Sequence, residues 1–69
     1  MERVKYTETR MIDGNEVHVL NLERLEYSGE WVPGGYRILL GEGVRWLFGW
    51  PSDSDIRNNF PETFFKPKA

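Results

Sequence analysis

The chain has 69 residues, 39% of them hydrophobic and 29% charged, and a formal net charge of −2. That length holds one domain with one core, because so small a chain buries only about 60% of the surface it exposes when unfolded, and three Trp, three Tyr and four Phe make disorder untenable. With no cysteine there are no disulfides, thiol nucleophiles or thiolate zinc sites, and no apolar run nears the roughly 18 residues of a membrane span, so a cytoplasmic protein with no membrane partner is expected.

Val4 to Ile12 is rich in Thr, Tyr and β-branched residues. Asp13-Gly14-Asn15 then tolerates positive φ, and Glu16 to Leu20 resumes the strand pattern. This predicts a first hairpin whose loop is two or three residues long, each choice sending different side chains inward. Asp13 to Glu30 carries five acids against Arg24 alone, with slightly basic segments on either side. Neither a basic footprint for nucleic acid nor the excess acidity of a DNA mimic results.

Ser28-Gly29 separates Leu25-Glu26-Tyr27 from Glu30-Trp31-Val32, and a two-residue turn there pairs Leu25 with Val32 and Glu26 with Trp31. A competing reading caps a short helix with Asn21 and ends it at Gly29, giving an α+β domain with a helix at 21–28 on a three- to four-stranded sheet. Pro33-Gly34-Gly35 then breaks the chain. A three-residue Gly41-Glu42-Gly43 loop sets Leu40 opposite Val44, Ile38 opposite Trp46 and Tyr36 opposite Phe48, all six on a core face. On that register Trp46→Ala unfolds the domain, and Arg37, Leu39, Arg45 and Leu47 share the opposite face as an amphipathic strip.

After Trp50-Pro51, Ser52 caps a helical turn over residues 52–60. Asp55 sits at the capping-box position, Ile56 and Phe60 lie on one side, and Pro61 ends it. Phe64-Phe65 makes a brief last strand, and residues 66–69 a frayed tail of the single domain 1–69. The order of elements suggests a mainly β fold, a five-stranded antiparallel meander closing into a barrel. Asn59-Phe60-Pro61-Glu62-Thr63-Phe64-Phe65-Lys66-Pro67 resembles the end of SH3 domains, where a Phe-Pro pair, a one-turn helix and an aromatic residue lead into the final strand. The resemblance covers about nine residues and implies an SH3-like barrel topology rather than proline-peptide binding.

No motif points to catalysis, a cofactor or a metal. His18 lies in an alternating strand, and Ser28, Ser52 and Ser54 lack a nucleophile-elbow context. Asp53 and Asp55 are explained by a helix start, and the paired glycines by turns. The surplus aromatics carry the functional expectation. Trp31, Trp50 and Phe64 are expected to form a shallow platform flanked by Arg37, Leu39, Arg45 and Leu47, and a chain that starts at Met1 and ends shortly after its last element is expected to work by docking on a larger protein as an adaptor or inhibitor. Single-stranded nucleic acid, stacked on the same rings with Arg37, Arg45, Lys66 and Lys68 at phosphates, is the alternative, and a homodimer that hides the strip is a third.

Overall fold

The computed structural model describes residues 1–65. Lys66, Lys68 and the expected frayed tail at 66–69 lie outside the described residues. Four antiparallel strands run in sequence order across one open sheet: β1 (Glu2–Ile12), β2 (Asn15–Leu25), β3 (Trp31–Leu40) and β4 (Gly43–Leu47). The helix α1 (Asp53–Asn59) and a 3₁₀ turn at Glu62–Phe64 follow. The mainly β expectation holds, but the sheet does not close into a five-stranded SH3-like barrel. Phe64 and Phe65, the expected last strand, instead form and follow the 3₁₀ turn, with both rings packed against the core.

Each hairpin follows from its turn chemistry. Asp13 and Gly14 both have positive φ, 52° and 79°, which is the two-residue turn that matches strand twist and pairs Ile12 with Asn15. The second hairpin differs from expectation by one residue. Leu25 pairs with Trp31 and Arg24 with Val32, because Glu26 donates its N–H to the Glu30 carbonyl and leaves Tyr27-Ser28-Gly29 as the loop, with Gly29 at φ 89°. A helix at 21–28 is likewise overturned, since β2 continues to Leu25.

The largest correction falls on β3 and β4. Leu40 pairs with Gly43, Leu39 with Val44, Ile38 with Arg45, Arg37 with Trp46 and Tyr36 with Leu47. The loop is therefore Gly41-Glu42, with positive φ at Gly41, the first central position, as a two-residue turn of this kind requires. One residue of slip exchanges the faces of β4. Trp46, expected in the core, is 51% exposed, and Phe48 is 97% exposed. The strip Arg37, Leu39, Arg45 and Leu47 is divided, because Arg45 and Leu47 lie on the face of Ile38 and Tyr36 while Arg37 and Leu39 lie on the other.

Pro33-Gly34-Gly35 is an irregularity within β3 rather than a break. Asn21 pairs with Tyr36 and Glu23 with Pro33, so two residues of β3 stand against Leu22 alone. Pro33 lies beyond the end of β4's pairing, where a missing N–H costs no ladder bond. The neighbouring strand is irregular at the same place, since Val4 pairs with Leu22 and Tyr6 with Asn21.

The core lies at one end of the sheet. Ile12, Val17, Val19, Ile38 and Leu40 from the strands meet Ile56 and Phe60, with Tyr36, Leu47, Phe64 and Phe65 packed around them. Ser52 holds α1 over this end through a reciprocal capping box with Asp55, as the sequence predicts. Gly43 is required there, because a Cβ would collide with the Phe64 ring. The helical segment covers only this part of the sheet, and the molecule extends over 50 × 19 × 17 Å.

Candidate interaction surface

The face that carries α1 holds two of the three tryptophans, Trp31 on its uncovered half and Trp50 in the loop that leads into the helix. At the far end of this face Trp31 pairs with Leu25, and the Arg3 guanidinium lies 4.0 Å from the Trp31 ring centre while its Nε donates to Glu23 at 3.0 Å. Nearer the helix, the Arg10 guanidinium stands 4.8 Å from the Trp50 ring. Arg10 donates to Glu8 at 2.6 Å, to the Pro51 carbonyl at 2.7 Å and to Asp53 at 3.3 Å. Burial opposes the Arg10 charge, yet Glu8 and Asp53 outweigh it and raise its pKa further.

Between the two stacks runs a row of Tyr6, Asn21 and Tyr36, paired across β1, β2 and β3. The Asn21 amide donates to the Tyr6 hydroxyl at 3.5 Å. Burial, and then the hydrogen bond with Tyr6, pushes the Tyr36 phenol above its ordinary range. The floor is therefore aromatic with hydroxyl and amide groups, and it spans roughly 20 Å from Arg3 to Arg10, about six extended residues. Trp50 is 61% exposed and Tyr6 44%, while Trp31 is half-buried.

The structure thus places Trp31 and Trp50 on one face, with Tyr6 and Tyr36 between them. Phe64 is elsewhere, 5.6 Å from the Phe60 ring and over Gly43. Leu47 packs against the core, and the Arg45 guanidinium lies 4.9 Å from the Phe60 ring and donates to the Asn59 carbonyl. Arg37 and Leu39 occupy the opposite face beside Trp46 and Val44, with the Arg37 guanidinium 4.1 Å from the Trp46 ring. Sequence reasoning missed Tyr6, Asn21 and Tyr36 as neighbours of the indoles. The alternation of β1 would have grouped Tyr6 with Val4, and only the irregularity beside Leu22 puts them on opposite faces.

His18 bridges Thr9 and Glu16, with both contacts at 3.1 Å. Among the described residues no three His, Asp or Glu side chains gather as a metal-binding set, and no helix is long and apolar enough to cross a membrane. Shallow hollows of about 530 Å³ beside Arg24–Tyr27 and about 410 Å³ between Leu40–Glu42 and Thr63–Phe64 are lined by neither Trp31 nor Trp50. No protein-family model matches the chain, and neither a curated protein nor a solved structure matches it.

Proposed function

We propose that this chain is a non-catalytic interaction module that docks on a larger protein, gripping an extended segment of it across the surface between Trp31 and Trp50. The observation that carries this reading is the assembly of Trp31, Tyr6, Tyr36 and Trp50 on the sheet face beside α1, where a guanidinium stands over each indole. Rigid amphipathic rings give large contact area at low entropic cost, and Asn21 and the tyrosine hydroxyls offer hydrogen bonds to a peptide backbone.

The charges weigh against single-stranded nucleic acid as the ligand. Arg3, Arg10, Arg24, Arg37 and Arg57 each lie within 4 Å of a carboxylate, and Arg45 is committed to main-chain carbonyls. Phosphates would have to compete with these acids for every guanidinium but that of Arg45.

Affinity capture with the wild type beside the double variant Trp31→Ala/Trp50→Ala tests the proposal. A partner retained by the first and lost by the second, with both chains folded by circular dichroism, is the expected result. Retention by both places recognition elsewhere. Strong quenching of Trp fluorescence by single-stranded oligonucleotides at low salt, abolished at high salt, would replace the protein partner with nucleic acid.

A further inference from the structure

The other face of the sheet carries no helix among the described elements, yet aliphatic residues recur along it. In β-ladder rows it presents Thr9, His18, Leu39 and Val44, then Thr7, Leu20, Arg37 and Trp46, then Val4 and Leu22, then Glu2, Arg24 and Val32. Val4, Val44 and Trp46 are each about half exposed, and Met11 at the margin is 64% exposed. A face of this kind normally meets a second layer, because a sheet must bury its apolar side against something.

We propose that the second layer is another copy of this chain, the two sheets packing face to face as an isologous dimer. Two features favour a copy over an unrelated partner. The first is area. Four strands at about 4.8 Å spacing and about eight residues at 3.3 Å rise give a projected face near 500 Å², so a pair of copies removes roughly 1,000 Å² from water. That reaches the lower bound for a specific interface without any further element.

The second is charge. The face bears Glu2 and Glu16 against Arg24 and Arg37, so two such faces meet without net repulsion. Arg37 is already neutralised by Glu2 at 3.4 Å, and its guanidinium lies 4.1 Å from the Trp46 ring centre. Glu16 and Arg24 stand near opposite ends of β2. A two-fold axis across the strands, in the plane of the interface, lays the Glu16 end of one copy over the Arg24 end of the other. Aligned packing of the two sheets follows from such an axis.

Sedimentation equilibrium from micromolar to millimolar concentration reads the proposal directly. A species of twice the 8.1 kDa chain mass is expected. Val44→Asp, a change at an exposed position, should weaken the dimer at least about tenfold while the monomer keeps its melting temperature. Arg24→Glu should weaken it too, and Arg24→Glu/Glu16→Arg should recover it. Trp31→Ala should stay dimeric, which separates this interface from the surface proposed for the larger partner. A monomer across the whole range, or a dimer indifferent to Val44→Asp, overturns the proposal. Protection of Trp46 only on addition of the partner captured through Trp31 would overturn it as well, giving this face to that partner.

Discussion

The covered and uncovered halves of the sheet are built from the same three long strands but held by different forces. At the covered end Ile12, Val17, Val19, Ile38 and Ile56 are each at most 1% exposed. At the other end Leu22 alone among the hydrophobic residues is buried, and arginine–indole stacks and surface ion pairs take the place of packing. Stacks at exposed sites contribute about 0.5–1 kcal/mol each, whereas a buried aliphatic side chain contributes several times that. Stability in this domain is therefore concentrated at one end, and the far end is left free for contact.

Substitutions at the covered end should destabilise the fold most. Ile56→Ala should cost about 2–5 kcal/mol, enough to exhaust a domain of this size, and a denaturant titration would show an unfolded baseline or a collapsed midpoint. Gly43→Ala should cost roughly 1–3 kcal/mol by driving a methyl group into the Phe64 and Phe60 rings, read as a lowered thermal midpoint. Ser52→Ala, which removes the acceptor for the Asp55 N–H, should cost about 1 kcal/mol.

Substitutions on the exposed surface sharpen the contrast from the other side. Trp46→Ala, measured where the chain is monomeric, should cost under about 1 kcal/mol, since it loses a half-exposed ring and one stack. A loss as large as that of Ile56→Ala would mean that both faces carry core. The smallest effect belongs to Tyr36. Its raised phenol pKa means the native state resists ionisation, so its contribution to stability is intact below pH 10.0 and lost as pH rises through the higher native value. Ultraviolet titration should show one phenol ionising after the others.

The helix was legible because its signals are local. Ser52 with Asp55 and Ile56 with Phe60 state their geometry within a few residues, whereas Asp13-Gly14-Asn15 marked a turn and left its length open. The β3–β4 register was misread because Leu40, Val44 and Trp46 make an apolar alternation as convincing as the true one. The deciding fact, Gly41 leading a two-residue loop, outweighs hydrophobicity. Closure into a barrel was inferred from strand order and the SH3-like ending at 59–67, and nothing local signals that Phe64 folds back over Gly43 instead of joining an edge. Of the expected platform, Trp31 and Trp50 share a face, but their arginine partners come from β1, far away in sequence, where no spacing rule reaches.

The paired irregularities beside Leu22 have a consequence for how the amino-terminal residues are aimed. Because β1 gains one residue between Val4 and Tyr6, Arg3 reaches Glu23 and Trp31 on one side while Glu2 reaches Arg37 on the other. Excising a single residue at Lys5 would turn this short stretch over like a flipped ribbon, swapping which surface each charge serves. Both surfaces proposed for contact are thus calibrated by the same extra step in the backbone.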